Sequence, residues 1–276
     1  MAQRLFFPFE INIPLHLFLI LAAMQRYFLE LGYDGTAYHG WQIQKNATSV
    51  QEVINKVLSI FTSENIEVIG AGRTDTGVHA IQFYCHFDAD LEKEDFGKML
   101  FRLNAMLPAD IAAYGIAKVN QQAHARFDAT SRTYVYKIGK HKNPFHLNRS
   151  WLYFFALDIE SMNKACELLL SHRNFSAFLK AGSDAKTDVC HISRAIWSEN
   201  KEILEFTVTS DRFLRNMVRA IVGTCIDVGI GKISTEDFAT VLRSGDRSKA
   251  GLSAPSHGLY LSRITYPYEI NFLSHV

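Results

Sequence analysis

Residues 66–87 read IEVIGAGRTDTGVHAIQFYCHF and contain the sharpest turn signal in the chain. The first four residues form an apolar run and the last seven alternate in polarity, which are patterns typical of β-strands. The loop between them, GAGRTDTGVHA (70–80), carries three glycines together with Arg73, Asp75 and His79. Glycines allow unusual backbone angles and the close approach of a bulky planar ligand. We therefore predict two strands whose connecting loop presents one carboxylate beside one guanidinium.

On both sides of the strand–loop–strand segment over residues 66–87, the hydrophobic periodicity of the chain predicts the element order β-α-β-β-α-β twice. The first half has predicted strands at 26–33, 66–71, 80–87 and 111–119, with helices starting at 49 and over 91–107. The second half has predicted strands at 132–139, 190–197, 202–209 and 258–266, with helices over 158–170, 213–228 and 235–243. This order is the ferredoxin-like motif. We expect an α+β fold in which two such halves, residues 24–128 and 129–276, build one extended, mostly antiparallel sheet with a central cleft.

The first 23 residues do not fit this pattern. They carry an apolar patch that is too short to span a bilayer and is preceded by prolines that interrupt a longer helix. Ordinary strand patterning begins directly after Met24. We therefore expect residues 1–23 to be an overextended start or a disordered extension, with a signal peptide as the alternative.

The composition limits the class of protein. The 276 residues are 48% hydrophobic and 21% charged, with a formal net charge of +1, which is ordinary for a globular chain without a membrane span. The four cysteines include no C-x-x-C pair and no partner at zinc-ligand spacing, so we expect no metal site. Cys85 and Cys225 fit core positions, and the lack of a disulfide pattern is typical of a reducing cytoplasm.

The glycine loop does not match the common phosphate-binding or nucleophile motifs. It is neither G-x-G-x-x-G nor G-K-[ST], and it lacks the serine of G-x-S-x-G, so no nucleotide cofactor is expected. Residues 75–77 read DTG, the signature of aspartic peptidases. Such enzymes need two carboxylates that share a proton, and the chain has no second D-[ST]-G. The peptidase is therefore the weaker alternative.

Basic and aromatic residues alternate between residues 126 and 149. The cations are Arg126, Arg132, Lys137, Lys140, Lys142 and Arg149, against the single acid Asp128. Such a mixture suits a phosphate backbone with unpaired, stacked bases. Within the predicted strand, Tyr134 and Tyr136 share one face, and we expect Tyr136 to lie in the core.

The predicted helix over 213–228 carries an arginine series. Arg212, Arg215 and Arg219 are spaced i, i+3 and i+7, away from most of the apolar stripe, and Ser210 or Asp211 is the expected N-cap. Arg219 lies deepest among apolar neighbours, where a guanidinium needs a carboxylate partner. Asp75 is the best candidate for that partner.

Seven ordered blocks carry a resemblance to a known family. They are GYDGTAYHGWQ (32–42), SVQ (49–51), AGRTDTGVHA (71–80), LNAMLPADI (103–111), HARFDATSRTYVYKI (124–138), NMVRAIVG (216–223) and APSHGLYL (254–261). Through these blocks the chain resembles the tRNA pseudouridine synthase A family from about residue 27 to its end. The resemblance implies the pseudouridine synthase fold and a homodimer that works on tRNA without metal or cofactor.

The same resemblance implies roles for individual residues. Asp75 matches the catalytic aspartate, Arg73 the residue that helps to extrude the target uridine, Tyr134 the residue that stacks on the extruded base, and Arg219 the partner of the aspartate. The remaining candidates for substrate contact are Arg126, Arg132, Arg212 and Arg215. The implied targets are uridines at positions thirty-eight to forty in the anticodon stem-loop, modified in the cytoplasm. A non-catalytic tRNA-binding protein is the alternative from another functional class.

Overall fold

The computed structural model describes residues 24–92, 94–180, 182–183 and 187–276. The predicted N-terminal extension, residues 1–23, lies outside the described residues. No helix within the described ranges is both long and apolar enough to cross a membrane.

The first half of the fold contains four strands and two helices in the predicted order. They are β1 (Gln25–Tyr33), α1 (Val50–Thr62), β2 (Ile69–Gly70), β3 (His79–Ala89), α2 (Phe96–Met106) and β4 (Ile111–Lys118). Ser49 and Asp95 define the two helix starts, because each side chain accepts a hydrogen bond from a backbone N–H of the first turn. The strands lie in the order β4-β1-β3, with β2 on the free side of β3.

The second half repeats this arrangement with additional elements. All elements of this half, in chain order, are β5 (Ser131–Gly139), β6 (Trp151–Leu152), α3 (Ile159–Ser171), β7 (Ile192–Glu199), β8 (Ile203–Ser210), α4 (Met217–Gly229), α5 (Thr235–Ser244) and β9 (Leu259–Thr265). The strand order β9-β5-β8-β7 corresponds to that of the first half, β4-β1-β3-β2. Both halves therefore have the ferredoxin-like order.

A single ten-stranded sheet runs through both halves of the described chain. The halves join where His79 and Ala80 of β3 pair in parallel with Tyr260 and Leu261 of β9. Most other strand pairs are antiparallel, so the predicted α+β sheet is confirmed. Because β3 begins at this junction, the loop that precedes it, residues 71–78, lies at the seam between the halves.

Each half has its own hydrophobic core. In the first half, strand residues such as Phe28 and Phe83 are buried with Ile54 of α1 and Leu103 of α2. The second core includes Tyr136, as expected from the sequence, and the buried Cys225 of α4. Tyr134 packs against both cores and therefore also lies at the seam.

Some predicted elements are wrong in extent. The strand predicted over 66–71 contains only the two residues of β2, because the N–H groups of Ile66 and Val68 donate to side chains of α1 instead of to a neighbouring strand. The short strand β6 was not predicted. A further strand, β10 (Phe272–His275), was also not predicted and pairs with β4 at the outer edge of the first half. The division into residues 24–128 and 129–276 stays a prediction, with β10 as a strand that returns to the first half.

The helix predicted over 213–228 begins later, at Met217. Asn216 precedes it in the left-handed region, at φ 67°, so the helix cannot extend further back through this residue. Ser210 closes β8, and neither it nor Asp211 caps the helix. Arg212 and Arg215 therefore lie on a connecting segment, and the expected helical spacing with Arg219 is wrong.

Candidate active site

Asp75 opens a tight turn at the seam. The N–H of Val78 donates to the carbonyl oxygen of Asp75 at 3.1 Å, and Gly77 occupies the third position of the turn with φ 76°. This positive φ is characteristic of glycine at the third position of a type II turn. The N–H of Gly77 also donates to the carbonyl oxygen of Tyr38 at 3.2 Å. Glycine at 77 is thus required for the conformation that presents Asp75.

The residue before Asp75 is anchored on both its side chain and its backbone. The hydroxyls of Thr74 and Tyr33 are hydrogen-bonded at 2.9 Å within the core. The N–H of Trp41 donates to the carbonyl oxygen of Thr74 at 3.3 Å. Gly40 passes so close that a Cβ there would lie 2.3 Å from the same oxygen. These contacts fix the turn, and they leave the Asp75 side chain 32% exposed.

Two guanidinium groups face the Asp75 carboxylate. Nη1 of Arg219 lies 3.5 Å from Oδ2, and Nε of Arg215 lies 3.9 Å from Oδ1. Arg219 is oriented by Ala254, whose carbonyl oxygen accepts from Nε at 2.7 Å and whose N–H donates to the Arg219 carbonyl oxygen at 3.0 Å. Both ion-pair distances exceed those of a direct charged hydrogen bond. The carboxylate is therefore paired by charge, and its oxygens remain open to a ligand.

Tyr134 of β5 lies beside this carboxylate at the seam. Its half-buried ring meets Phe213 edge-on, with 5.1 Å between the ring centroids. Burial raises the pKa of Tyr134 to about 12, an effect that the nearby Arg132 opposes and the Asp75 charge reinforces. The phenol is consequently neutral over the physiological range, and its ring is an uncharged stacking surface next to Asp75.

The side chains of Arg73 and Arg126 are exposed and positively charged. Within the described ranges neither side chain has a carboxylate within 4 Å, although Arg126 lies over the Phe127 ring at 5.6 Å. Arg73 is two residues from Asp75 on the same loop. Both guanidinium groups are therefore available to a polyanion.

Arg132 and Arg212 are instead occupied by backbone carbonyl groups. Arg212 donates to the carbonyl oxygens of Thr187 at 2.7 Å and Val189 at 3.3 Å. Arg132 donates through its two terminal nitrogens to four carbonyl oxygens, those of Ala71, Arg126, Ala129 and Asp211. These contacts tie loops together around the seam. The predicted contact of both arginines with substrate stays a prediction, and a supporting role fits their geometry better.

Sequence reasoning assigned no partners to Asp34 and His79, which form a contact between a partly exposed carboxylate and a buried imidazole. Oδ1 of Asp34 lies 3.1 Å from Nδ1 of His79, and Oδ2 accepts from Nε of Arg149 at 3.0 Å. Burial alone would raise the pKa of Asp34, but hydrogen bonds from Thr36 and Arg149 hold it below its ordinary value. Arg149, counted from the sequence among the basic residues of the 126–149 block, thus connects the two halves. The signal that could have found this link is the position of Asp34 inside the first family-like block.

The surroundings of Asp75 do not resemble an aspartic peptidase. Two guanidinium groups occupy the positions within 4 Å of the carboxylate where that chemistry needs a second carboxylate. Across the part of the chain that the structure describes, no group of three or more His, Cys, Asp or Glu side chains could hold a metal ion.

Comparison with known proteins agrees with this fold. A family model described as tRNA pseudouridine synthase matches residues 32–128 and 165–267. A tRNA pseudouridine synthase A from Bacteroides fragilis is 48% identical over 249 residues, which cover 90% of this chain and 99% of that relative. One from Bacteroides thetaiotaomicron is 48% identical over 250 residues, covering 90% and 93%. One from Thermoanaerobacter pseudethanolicus is 40% identical over 245 residues, covering 88% and 100%.

The ten-stranded sheet of two ferredoxin-like halves is therefore a pseudouridine synthase fold. The chain belongs to the tRNA pseudouridine synthase family. The resemblance carried by the seven sequence blocks is confirmed.

Proposed function

We propose that this protein is an isomerase that converts uridine to pseudouridine in tRNA, with Asp75 as the catalytic carboxylate. The observation that carries the proposal is one half-buried carboxylate held at the seam between the guanidinium groups of Arg215 and Arg219. A surface that only binds RNA gains nothing from a carboxylate in this place, because the negative charge repels phosphate. Relatives named tRNA pseudouridine synthase A, at up to 48% identity over almost their full length, support tRNA as the substrate.

The chemistry requires few groups. The N1–C1′ bond of uridine breaks, the uracil turns, C5 bonds to C1′, and the proton of C5 is lost while N1 gains one. Apart from these protons, which exchange with water, no atom or electron is exchanged with another reactant, so one positioned carboxylate acting as nucleophile or base is sufficient. The ion pair with Arg219 keeps Asp75 near the reacting base while leaving its oxygens free.

The family resemblance leads us to place the target uridines in the anticodon stem-loop, at positions thirty-eight to forty. A uridine in a stem is stacked and must be extruded at a cost of a few kcal/mol. Stacking on Tyr134 returns about 1–3 kcal/mol of that cost. Arg73 and Arg126 are exposed, and the backbone segments that carry them are joined by Arg132, so both are suited to hold the neighbouring phosphates.

We further propose that the protein acts as a homodimer in the cytoplasm, where its substrate is found. Large apolar side chains that are exposed between residues 145 and 155 support an interface with another copy, namely Phe145, Leu147, Phe154 and Phe155. Size-exclusion chromatography with light scattering tests this, and a monomer at micromolar concentration would contradict it.

Tritium release from tRNA labelled at C5 of uridine tests the main proposal. The wild-type protein should release tritium, and Asp75→Asn should release none while its Kd for tRNA stays within about twofold, because the substitution preserves shape and removes the ionised oxygen. Release by Asp75→Asn at the wild-type rate would refute the role of Asp75. Tight tRNA binding without release by either protein would favour a non-catalytic RNA-binding protein.

A further inference from the structure

We propose that His79 is a positioning residue for the reaction, because it locks the segment that aims Arg219 at Asp75. The inference rests on the proposed function, and it concerns a residue that does not touch the carboxylate itself. His79 is the first residue of β3 and lies four positions after Asp75. It is the point at which the loop carrying Asp75 enters the sheet.

The imidazole of His79 is enclosed, with 2% exposure, and both ring nitrogens have partners. Nε2 lies 3.0 Å from the carbonyl oxygen of His257, which can only accept, so Nε2 carries a proton and donates it. On the opposite side, Nδ1 lies 3.1 Å from both the Gly35 nitrogen, whose N–H donates to an unprotonated Nδ1, and Oδ1 of Asp34, which accepts from a protonated Nδ1. The ring is stacked on Tyr260 with 4.6 Å between centroids, which fixes its plane. One side chain thus binds a loop of the first half and a loop of the second half.

The second-half loop, residues 254–257, is the one that orients Arg219. Its Ala254 carbonyl oxygen accepts from Nε of Arg219 at 2.7 Å. The next carbonyl oxygen, that of Pro255, accepts from the buried hydroxyl of Tyr136 at 2.8 Å. Ser256 then packs under the Asp75 turn, since a Cβ on Gly77 would lie 2.9 Å from its Oγ. The loop therefore lies between the Asp75 turn and Arg219.

The position of the loop over residues 254–257 determines where Arg219 lies relative to Asp75. Asp75 comes from the first half and Arg219 from the second, and their side chains are 3.5 Å apart. The hydrogen bond from Nε2 of His79 to the His257 carbonyl oxygen fixes the last residue of the loop relative to β3. At the first residue of the loop, the Ala254 carbonyl oxygen fixes Nε of Arg219. A displacement of about 1 Å in such a constellation can cost about a hundredfold in rate. His79 consequently acts on the reaction through Arg219.

Two substitutions separate the two contacts of the ring. In His79→Gln the longer side chain places its amide nitrogen near the position of Nε2 and can still donate to the His257 carbonyl oxygen. In His79→Asn the shorter amide lies near the position of Nδ1, where it can accept from the Gly35 N–H or donate to Asp34, and it loses the His257 contact. Both variants lose the stacking on Tyr260, so each is the matched control of the other for packing.

The experiment measures single-turnover rate, tRNA Kd and Tm for wild type and both variants, with labelled arginine for NMR of the Arg219 Nε–H. We expect His79→Asn to lose at least about tenfold in rate with Kd within about twofold. His79→Gln should retain a rate within about threefold of wild type. Slowed exchange of the Arg219 Nε–H should persist in His79→Gln and be lost in His79→Asn.

Equal losses in both variants, accompanied by equal drops in Tm, would overturn the inference, because they indicate a packing role alone. Unchanged rates in both, or a slower His79→Gln, would also overturn it. A wild-type protein that forms no pseudouridine would refute the proposed function and the inference together, whereas an active wild type with either of these patterns refutes the inference only.

Discussion

Arg219 holds two partners on different segments at once: Nε donates to the Ala254 carbonyl oxygen at 2.7 Å, and Nη1 faces Oδ2 of Asp75 at 3.5 Å. A planar guanidinium can keep both contacts, whereas the point charge of lysine cannot. We expect Arg219→Lys to reduce the rate of pseudouridine formation by at least about tenfold with a small change in tRNA affinity. Single-turnover assays with tRNA measure both.

Arg215→Lys is the matched control for this prediction. Arg215 is exposed, its Nε is 3.9 Å from Oδ1 of Asp75, and a lysine can supply a similar charge from solvent. We expect a rate within about threefold of wild type, since exposed pairs contribute little. Equal losses in the two variants would show that the two-partner geometry of Arg219 does not distinguish it from Arg215.

Arg132 is expected to matter for stability because its guanidinium satisfies four carbonyl oxygens from three segments around the seam. Hydrogen bonds that involve a charged donor contribute about 1.5–3 kcal/mol each, so Arg132→Met should lower the free energy of unfolding by at least about 3 kcal/mol. Chemical denaturation measures this. An unchanged denaturation midpoint would contradict the supporting role.

For Arg126→Gln we expect the opposite result, since the Arg126 side chain is exposed and only its backbone carbonyl oxygen is bound by Arg132. Its denaturation midpoint should equal that of the wild type. Its tRNA Kd should rise, and the slope of log K against log salt should decrease by about 0.7–0.9, as expected for one lost phosphate contact. A salt slope equal to that of the wild type would remove Arg126 from the RNA-binding surface.

Arg73 lies on the Asp75 loop with no carboxylate within 4 Å among the described residues, and its predicted role is in base extrusion. Arg73→Ala should slow the extrusion of the uridine while leaving the Asp75 turn intact, because Arg73 forms none of the hydrogen bonds that hold this turn. Stopped-flow fluorescence of tRNA with a fluorescent base next to the target measures this step. Extrusion at the wild-type rate would exclude the role.

The sequence predicted the doubled β-α-β-β-α-β order because both halves keep their local periodicities in the fold. The pairing of Asp75 with Arg219 also followed from local rules: a glycine-rich turn presents a carboxylate, and a cation among apolar helix residues needs a partner. Both signals are contained within a few residues of sequence. They were therefore readable without knowledge of the tertiary structure.

The features that were missed depend on distant contacts. The segment before α4 is not helical because the carbonyl oxygen of Arg215 accepts from Lys180 and the side chain of Arg212 binds the backbone near residue 188. Strand β10 is only four residues long, and its partner β4 lies more than a hundred residues earlier. Two of the four carbonyl partners of Arg132, those of Ala71 and Asp211, come from distant loops. No local pattern encodes such contacts.

Tyr134 is expected to act through its ring and not through its hydroxyl. Burial raises the pKa of Tyr134 to about 12, so the neutral form persists at the pH of any ordinary assay. Tyr134→Phe should keep tRNA Kd within about twofold, whereas Tyr134→Ala should weaken binding of the extruded base by about 1–3 kcal/mol. Binding assays with tRNA that carries 5-fluorouridine at the target measure the difference. Equal losses in the two variants would assign the effect to the hydroxyl.

His86 is expected to make the free energy of unfolding decrease at acidic pH. Burial, together with the charges of Arg26 and His124, lowers the pKa of His86 to about 4, while an unfolded histidine titrates near 6.5. The unfolded chain therefore binds the extra proton first, so this contribution to stability is fully present above about pH 6.5 and is lost as the pH falls towards 4. We expect the free energy of unfolding of His86→Asn to fall less than that of wild type between pH 7 and about pH 4.5, by on the order of 2 kcal/mol. The exposed His141→Asn, measured in parallel, should follow the wild-type curve, and a His86→Asn curve parallel to both would show that His86 is not the group that titrates.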